Sequence, residues 1–401
     1  MDTRLITTDI SAAAEIIRGG GLVAVPTETV YGLAGNGLDE RAVHGIYEVK
    51  GRPAVKPLSL MVPDESAMEK YCDDVPPQAH RLADKFWPGP LTIVLKAKDA
   101  VPKLVRAGGA TVGLRCPDHP LTLEALRLAG VPFAAPSANP SGAESPKTAA
   151  KVMEYFAGKI PAVIDGGECG IGRESTLIDM SAAPYRILRA GALDADTIAD
   201  ALAEGIRVVG ITGGTGSGKT TALDVLRGFG ALVIDCDALY HELLRGIAEV
   251  IAEIDKYFPG AVTDGAVDTK ALGAVVFTDE EALRDLNLIT HKYINLEISR
   301  RLREWAMAGG TLAALDAIEL FSSGAGKRCF TTVGVVADRD IRLARIQKRD
   351  GISLEYAMMR VNAQRPDQYY YERCDHILKN NGTWEEFSAA CQKLFTEVLK
   401  K

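Results

Sequence analysis

The segment RVVGITGGTGSGKTT, Arg207–Thr221, constrains the fold of this 401-residue chain more than any other feature of the sequence. Its residues 213–220 fit the pattern G-x-x-x-x-G-K-[ST], with an apolar run before them and apolar residues at helical spacing after them. Glycines allow a tight loop whose backbone N–H groups, together with the N-terminus of the next helix, can surround phosphate oxygens. A strand, a phosphate-binding loop and a helix are therefore predicted in the second half of the chain.

This loop predicts an ATP or GTP site, and a glycine-rich turn without a ligand is the alternative. Lys219 is expected to reach the β- and γ-phosphates, and Thr220 is expected to hold Mg²⁺ through its hydroxyl. The nucleotide-binding residues predicted from the loop are Gly213, Gly214, Thr215, Gly216, Ser217, Gly218, Lys219, Thr220 and Thr221. The residues predicted to be buried on either side are Val208, Val209 and Ile211 in the strand and Ala222, Leu223 and Leu226 in the helix.

The length of the chain predicts two domains, which we place at residues 1–205 and 206–401. The composition, 47% hydrophobic and 25% charged, is typical of a soluble globular protein. No apolar run reaches 18 residues and the start lacks a secretory signal, so we expect a cytoplasmic protein without membrane contact. Seven scattered cysteines without CxxC spacing are expected to be reduced thiols. The net charge of -7 disfavours a general affinity for nucleic acid.

A second segment of the C-terminal half, GALVIDCD (230–237), ends in two carboxylates. Alternation along a strand predicts that Asp235 and Asp237 share one face, at the carboxyl end, where α/β sheets bind ligands. One carboxylate would take a proton from an acceptor hydroxyl while the other assists the metal or the orientation. A solvated strand end is an equally good interpretation of this pair alone.

The C-terminal half resembles the dephospho-CoA kinases from about Arg207 to Lys401. The motifs that carry the resemblance occur in the family's order: GITGGTGSGKTT, VIDCDALYHELL, DTKALGAVVFTDEEALRDLNLITH, RIQKRDGISLEYAMMRVNAQ and CDHILKNNG. The resemblance implies a P-loop kinase domain with a parallel sheet, helices on both faces and a helical lid. It also implies transfer of the ATP γ-phosphate to the ribose 3′-hydroxyl of dephospho-CoA.

The resemblance also implies roles for particular residues of this half. Asp237 matches the base for the acceptor hydroxyl, and the lid would bring arginines to the moving phosphoryl charge. The residues concerned are Asp237, Lys219 and Arg349 as catalytic groups, Asp235, His291, Arg345 and Arg360 on the substrate side, and Asn381 on the adenine side. The sequence departs from the family at Lys292 and Ile318, where proline is common, and at Ser322, where an acidic residue is common. A kinase of another small molecule, such as a nucleoside, is the alternative.

The N-terminal half predicts an α/β domain with a substantial sheet, because apolar segments alternate with Gly-Pro turns and helical stretches. Lys50, Arg52 and Lys56 lie within seven residues and suggest an anion site, although a solvated basic turn explains them equally well. Hydroxyl and amide side chains that can donate to phosphate or carboxylate oxygens are Ser137, Asn139, Ser175 and Thr176.

These segments resemble the YrdC-like family of threonylcarbamoyl-AMP synthases from about Asp9 to Asp194. The matching motifs are PTETVYGL, YEVKGRP, APSANPSG, STLID and ILRAG. The resemblance implies a twisted-sheet α/β domain that condenses L-threonine, bicarbonate and ATP to threonylcarbamoyl-AMP and pyrophosphate. A tRNA-modifying transferase complex would use the product to modify adenosine 37 of tRNA.

The resemblance divides the candidate residues of this half between two substrates. The ATP side comprises Lys50, Arg52, Lys56, Thr111, Ser137, Asn139, Ser145 and Arg189, of which Arg52 and Lys56 are expected to be catalytic. The threonine side comprises Thr29, Arg115 and Ser175. Met61 departs from the family, which has a polar residue there. A non-catalytic RNA-binding module is the alternative, but residues 1–205 carry 21 Lys and Arg against 26 Asp and Glu, which is a poor surface for RNA.

Overall fold

Residues 2–400 are described by a computed structural model, in which the chain divides into two units. The first unit comprises the chain up to Gly205 together with Met307–Gly309, and the second comprises Ile206–Ala306 and the chain from Gly310 onward. Each unit has its own sheet and its own apolar core.

Short strands dominate the first unit. Its strands are β1 (Arg4–Ile6), β2 (Val23–Val25), β3 (Gly32–Asn36), β4 (Ser59–Met61), β5 (Cys72–Asp73), β6 (Leu91–Ala97), β7 (Thr111–Arg115), β8 (Phe133–Ala134), β9 (Ala162–Ile164), β10 (Thr176–Asp179) and β11 (Arg186–Arg189). Its helices are α1 (Ile10–Arg18), α2 (Glu40–Lys50), α3 (Ala67–Tyr71), α4 (Pro77–Phe86), α5 (Pro120–Ala129), α6 (Ala149–Phe156) and α7 (Ala195–Ala203).

These strands form one mixed sheet in the order β1-β9-β2-β3-β8-β4-β7-β6-β10-β11, and β5 pairs with β6. Strand β7 lies parallel to β4 and antiparallel to β6, and β6 lies parallel to β10. The register sets Met61 opposite Arg115 and Thr176 opposite Leu91. The ends of β4 and β7 are therefore adjacent, and the start of β10 lies beyond β6 in the same sheet.

Aspartate side chains begin three helices of this unit, counted within residues 2–205. Asp9, Asp39 and Asp194 accept hydrogen bonds from backbone N–H groups in the first turns of α1, α2 and α7. These bonds satisfy N–H groups that a helix itself leaves unpaired.

Helix α1 confirms the apolar face that its helical spacing predicts. Ile10, Ala14 and Ile17 are buried, and they belong to the cluster that includes Val23 of β2 and Phe133 of β8. The core of the first unit therefore lies between α1 and the sheet.

The second unit is built on a different plan, with long helices around a small sheet. Its strands are β12 (Arg207–Thr212), β13 (Leu232–Asp235), β14 (Val262–Thr263), β15 (Ala266–Val267), β16 (Leu312–Asp316), β17 (Thr331–Val336) and β18 (His376–Lys379). Its helices are α8 (Lys219–Gly228), α9 (Cys236–Gly246), α10 (Ala248–Tyr257), α11 (Thr269–Val276), α12 (Glu280–Met307), α13 (Arg339–Asp350), α14 (Leu354–Asn362), α15 (Asp367–Arg373) and α16 (Trp384–Val398).

The main sheet of this unit is parallel, as expected, with the order β13-β16-β12-β17-β18. Strand β12 is central, and the glycine-rich loop leaves its carboxyl end to enter α8. The carboxyl ends of parallel strands meet at one edge of a sheet, where α/β proteins bind ligands. Asp235 ends β13 and Asp316 ends β16, so both lie at the edge that carries the loop.

The elements around the loop confirm the predicted burial. Val208, Val209 and Ile211 of β12 are buried, and α8 buries Ala222, Leu223 and Leu226. The apolar core that these residues share also includes Phe387 and Phe395 of α16.

The prediction that Asp235 and Asp237 share one face of a strand is wrong. Strand β13 ends at Asp235, whose carboxylate accepts hydrogen bonds from the N–H groups of Asp237 (3.0 Å) and Ala238 (2.9 Å). This cap begins α9, so Asp237 lies in the first turn of a helix. An aspartate at the end of a strand is a strong N-cap, and the cap overrides the alternation of the strand.

The sequence predicts a docking helix that begins with a capping box of Thr383 and Glu386 and carries an apolar stripe of Trp384, Phe387, Cys391, Leu394 and Val398. Helix α16 has this capping box. Phe387, Cys391 and Val398 are buried as predicted and Leu394 is partly buried, but Trp384 is 66% exposed. Trp384 is the first residue of the helix, whereas Phe395, about three turns further along, is fully buried.

The seven cysteines all lie within residues 2–400 and are free thiols. Burial raises the pKa of Cys72, Cys236 and Cys329 to about 12, so these thiols are poor nucleophiles. Within the same residues, no helix is both long enough and apolar enough to cross a membrane.

Phe395→Ala is expected to lower the free energy of unfolding of the second unit by about 3–5 kcal/mol, because it opens a cavity in the core. Trp384→Ala, an aromatic truncation on the same helix, is expected to cost less than about 1 kcal/mol because the side chain is exposed. Urea unfolding of both variants, followed by circular dichroism, measures the difference. Equal losses would show that α16 docks through a different face.

Candidate active sites

A cleft of about 430 Å³ adjoins the glycine-rich loop of the second unit. Its lining combines loop residues, two carboxylates and three arginines: Gly214, Thr215, Gly216, Gly218, Lys219, Thr220, Asp237, Asp316, Ile318, Arg345, Arg349 and Arg360. Most of the predicted loop residues, the predicted base and the three predicted lid arginines therefore share one cavity.

The loop has a backbone shape that only glycine adopts readily. Gly216 and Gly218 have φ values of 80° and 105°, in the region that side chains disfavour. A Cβ on Gly218 would also lie 2.1 Å from Nδ2 of Asn380. Asn380 donates from that nitrogen to the carbonyl of Ser217 at 2.8 Å, so it supports the loop from behind.

Three predicted loop residues do not line the cleft. They are Ser217, which is only 1% exposed, Thr221, which continues helix α8, and Gly213. The Gly213 carbonyl accepts a hydrogen bond from Nζ of Lys219 at 3.0 Å. The ammonium is therefore held by the loop at the wall of the cleft.

The two carboxylates of the cleft differ in their surroundings. Burial raises the pKa of Asp237 and that of Asp316, the latter to about 6; neighbouring carboxylates add to both shifts and Lys219 opposes them. Oδ1 of Asp316 is buried without a hydrogen-bond partner. A buried carboxylate oxygen without a hydrogen-bond partner lowers the stability of the fold. Such an oxygen is expected where a cation or a proton binds.

Acidic and amide partners hold the three arginines at the cleft. The Asp350 carboxylate accepts from Arg349 at 2.6 and 2.9 Å and from Arg360 at 2.6 Å, and these guanidinium groups lower its pKa to about 2. Arg345 donates to the carbonyl and to Oδ1 of Asn380 at 3.2 and 3.1 Å. The arginines are therefore oriented before any phosphate arrives.

Asp235, His291 and Asn381 are candidates that do not line this cleft. Asp235 caps α9, as described above. His291 lies half-buried on α12, where burial lowers its pKa and the charge of Glu319 opposes the shift. Oδ1 of Asn381 accepts from the N–H of Asp338 at 2.9 Å. The nearby Lys292 pairs with Glu253 at 2.9 Å, and the Ser322 hydroxyl bonds to Glu319.

The first unit contains a cleft of about 200 Å³ at its mixed sheet. It is lined by Val30, Gly32, Arg52, Pro57, Leu58, Ser59, Met61, Thr92, Arg115, Ala135, Pro136, Ser137, Glu174, Ser175, Leu177 and Arg189. The candidates among them are Arg52, Arg115, Ser137, Ser175 and Arg189. Met61, which departs from the expected polar residue, lies in the same wall.

Arg115 is the most enclosed charge of this cleft. Its side chain is 8% exposed and donates to Glu28 at 2.7 Å, to Oγ1 of Thr29 at 2.8 Å and to the carbonyl of Gly89 at 3.2 Å. Thr29, predicted on the threonine side, is fully buried and acts on the cleft through this bond. Glu28 neutralises the guanidinium and fixes its direction.

Arg189 and Ser175 form a second polar group in the same cleft. Arg189 donates to the carbonyl of Ser175 at 2.8 and 3.1 Å and to its Oγ at 3.0 Å, while Thr92 bonds that Oγ at 2.9 Å. The Glu174 carboxylate lies 3.5 Å from Arg189 and accepts from the Ser145 hydroxyl at 3.0 Å. Ser145 does not line the cleft itself but orients Glu174, which does.

Lys50 and Asn139 do not line the cleft, and their side chains donate to backbone carbonyls. The Lys50 ammonium is buried, its pKa is lowered to about 8, and it donates to the carbonyls of Ser137 and Asn139. The Asn139 amide donates to the carbonyls of Pro140 and Ala143. Both side chains thus shape the 136–145 loop, because its buried carbonyls need donors.

Lys56 and Thr111 also lie outside the lining residues. Lys56 is exposed in the turn before β4, and its carbonyl accepts from Tyr47 at 2.9 Å. Thr111 begins β7 opposite Lys96. Of the three clustered cations, Arg52 is the one that lines the cleft.

Comparison with known proteins assigns a family to each unit. The Sua5–YciO–YrdC family, whose description reads telomere recombination, matches residues 15–191, and the dephospho-CoA kinase family matches residues 207–386. A putative threonylcarbamoyl-AMP synthase of Methanocaldococcus jannaschii is 38% identical, over 46% of this chain and 86% of its own. A dephospho-CoA kinase of Anaeromyxobacter dehalogenans is 35% identical, over 48% of this chain and 92% of its own.

The chain belongs to both families. It is also 48% identical to the threonylcarbamoyl-AMP synthase of Pyrococcus abyssi over 49% of this chain, but it spans only 57% of the length of that relative. The similarity therefore covers most of the length of the dephospho-CoA kinase from Anaeromyxobacter dehalogenans, but little more than half of the length of the Pyrococcus abyssi synthase.

Five further residues of the two clefts are not predicted from the sequence. Asp316 lines the cleft of the second unit and Asn380 supports its loop, while Glu28, Thr92 and Glu174 orient residues of the cleft in the first unit. Asp316 ends the apolar strand β16, and a carboxylate at the end of an apolar run is a signal that could identify it from the sequence. The others act through contacts between residues far apart in sequence, for which a single sequence holds no local signal.

Glu28→Gln is expected to lower the free energy of unfolding of the first unit by about 3 kcal/mol, because it leaves the buried Arg115 charge without its counter-charge. Glu154→Gln, which removes an exposed ion pair with Lys151, is expected to leave the free energy of unfolding almost unchanged. Urea unfolding near neutral pH measures both. Indistinguishable losses would contradict the assignment of Glu28 as the partner that fixes Arg115.

Proposed function

We propose that this is a bifunctional enzyme. Residues 1–205 form threonylcarbamoyl-AMP and pyrophosphate from L-threonine, bicarbonate and ATP. Residues 206–401 transfer the ATP γ-phosphate to the 3′-hydroxyl of dephospho-CoA. The observation that carries the kinase assignment is one cleft that joins Lys219, Thr220, two carboxylates and three arginines. The observation that carries the synthase assignment is a cleft with Arg52, Arg115 and Arg189 beside serine hydroxyls.

In the kinase cleft, the residues divide the work of phosphoryl transfer. The loop N–H groups and Lys219 bind the phosphates, and Asp237 accepts the proton of the acceptor hydroxyl. Its raised pKa makes it a better base at neutral pH than an ordinary aspartate. The three arginines neutralise charge as the phosphoryl group moves, which is the main catalytic need of this reaction.

The same cleft suits Mg²⁺. Thr220, Asp237 and Asp316 offer oxygen donors, which this hard cation prefers, and Oδ1 of Asp316 is buried without a partner. Thr220 and Asp316 would hold the ion. When bound, it would neutralise charge on the phosphates.

In the synthase cleft, positioning and charge neutralisation are the residues' main contributions. Arg115, directed by Glu28 and Thr29, suits the threonine carboxylate. Arg52 and Arg189 suit the phosphates, with Ser137 and Ser175 as additional donors, and Lys56, Thr111 and Ser145 remain proposed residues of the ATP side. Holding a carbamate oxygen in line with the α-phosphate would supply most of the rate.

The partners proposed for this enzyme are its small-molecule substrates and a downstream tRNA-modifying transferase complex that uses the adenylate. Strong direct binding of nucleic acid is not expected, because residues 1–205 carry more acidic than basic side chains. Both reactions consume ATP, which fits action in the cytoplasm.

Single variants are expected to separate the two activities. Lys219→Ala should lower coenzyme A formation at least about 100-fold and leave threonylcarbamoyl-AMP formation within about two-fold, because a phosphate-binding cation is lost from one cleft only. Arg189→Ala should lower threonylcarbamoyl-AMP formation at least about 10-fold and leave the kinase unchanged. Mass spectrometry of both products, from one mixture of ATP, Mg²⁺, L-threonine, bicarbonate and dephospho-CoA, measures them together.

Lys292→Ala, an exposed lysine of α12, is the control for Lys219→Ala and should change coenzyme A formation less than about two-fold. Arg186→Ala, an exposed arginine of β11, is the control for Arg189→Ala and should change threonylcarbamoyl-AMP formation less than about two-fold. Loss of both activities in a folded single-site variant would contradict separate sites. If the wild-type chain phosphorylates nucleosides but not dephospho-CoA, the second unit is a kinase of another small molecule. If the chain binds RNA but forms no adenylate, the first unit is an RNA-binding module and not a synthase.

A further inference from the structure

Thr215, at the tip of the phosphate loop, has each of its polar groups hydrogen-bonded to one of two side chains. Its N–H donates to Oε1 of Gln364 at 2.8 Å, and its Oγ1 accepts from Nε2 of the same amide at 2.6 Å. Its carbonyl accepts from Nε of Arg342 at 3.0 Å. The loop is therefore held at this residue from outside.

Arg342 and Gln364 also bond to each other, so the contact is a connected network. Arg342 donates from NH2 to Oε1 of Gln364 at 2.7 Å, and its NH1 lies 3.6 Å from the carboxylate of Asp367. Arg342 is only 5% exposed. A buried guanidinium satisfied in this way fixes the geometry of its partners.

The glycines on either side of Thr215 make this close contact possible. A Cβ on Gly214 would lie 2.2 Å from NH2 of Arg342, and one on Gly216 would lie 2.9 Å from the carbonyl oxygen of Arg342. The absence of side chains at Gly214 and Gly216 therefore allows α13 to pack against the loop, in addition to allowing the loop to turn.

The two side chains lie at the two ends of one helical hairpin. Arg342 is near the start of α13, and Gln364 follows the end of α14. The hairpin has its own apolar cluster of Leu343, Ile346, Ala357 and Val361. The three cleft arginines, Arg345, Arg349 and Arg360, lie between the two ends.

We propose that Arg342 and Gln364 are positioning residues of the kinase, which hold the α13–α14 hairpin to Thr215 and so set its arginines relative to the bound phosphates. The proposal deepens the proposed phosphoryl transfer and rests on it for its kinetic test. Because both ends of the hairpin are tied to one loop residue, a nucleotide that orders the loop also orders the hairpin.

Gln364→Leu tests this directly, since it removes both bonds to Thr215 and keeps the size of the side chain. We expect kcat for coenzyme A formation to fall about 10- to 100-fold, as small misplacements of catalytic groups can do. The dissociation constant for a non-hydrolysable ATP analogue should change less than about three-fold, because Lys219 and the loop N–H groups remain. Gln368→Leu, an exposed glutamine of α15 bonded to Glu372, is the matched control and should change neither value.

Conservative variants separate positioning from simple stabilisation. Gln364→Glu should keep kcat within about three-fold, because one oxygen can accept from the Thr215 N–H and the other from its hydroxyl. Thr215→Val should lower kcat less than Gln364→Leu, and the double variant should resemble Gln364→Leu alone, because the two residues share the bond. If the double variant loses kcat by the product of the two single losses, Thr215 and Gln364 act independently and the proposed contact between them is wrong.

Hydrogen exchange gives a readout that does not depend on the acceptor substrate. The ATP analogue should protect residues 339–364 in the wild-type chain and in Gln364→Glu, but not in Gln364→Leu. Unchanged kcat and unchanged protection in a folded Gln364→Leu chain would overturn the proposal. If the wild-type chain does not phosphorylate dephospho-CoA, the proposed function fails, while the exchange result still decides the positioning role.

Discussion

The second unit depends on one constraint: backbone N–H groups must approach phosphate oxygens closely, which leaves no room for side chains at the turns of the loop. Gly216 and Gly218 meet this requirement with positive φ values. Asn380 lies where a Cβ on Gly218 would be, and the side chains of Arg342 and Gln364 lie where a Cβ on Gly214 would be. The parallel sheet supplies the rest, because it brings Asp316 to the same edge as the loop. The cleft is thus a consequence of where parallel strands end.

In the proposed function, the first unit binds an anionic substrate by a different physical route. It lacks the glycine-rich phosphate loop of the second unit and uses side-chain cations whose directions are fixed by buried acceptors. Glu28 and Thr29 hold Arg115, and the Ser175 carbonyl holds Arg189. A buried cation without such partners would be costly. The mixed sheet matters because it brings residues from β4, β7 and the start of β10 to one wall.

The sequence predicts those features whose cause is local. The phosphate loop, the capping box of α16 and the apolar face of α1 depend on residues a few positions apart. Alternation along the strand does not predict the position of Asp237, because the cap by Asp235 ends the strand two residues earlier. The sequence around Lys50 does not reveal its acceptors, because the carbonyls of Ser137 and Asn139 lie 87 and 89 positions away. The role of Gln364 has no local signal either, since its partner Thr215 lies 149 positions earlier.

The central claim is that one chain carries two separate nucleotide sites built in these two ways. Counting bound nucleotides by native mass spectrometry, with a non-hydrolysable ATP analogue at saturating concentration, tests it most directly. The account predicts two analogue molecules per wild-type chain. It predicts one when either site is removed, by Lys219→Ala in the second unit or by Arg52→Ala combined with Arg189→Ala in the first. A single nucleotide on the wild-type chain, or loss of both from a folded single-site variant, would contradict it.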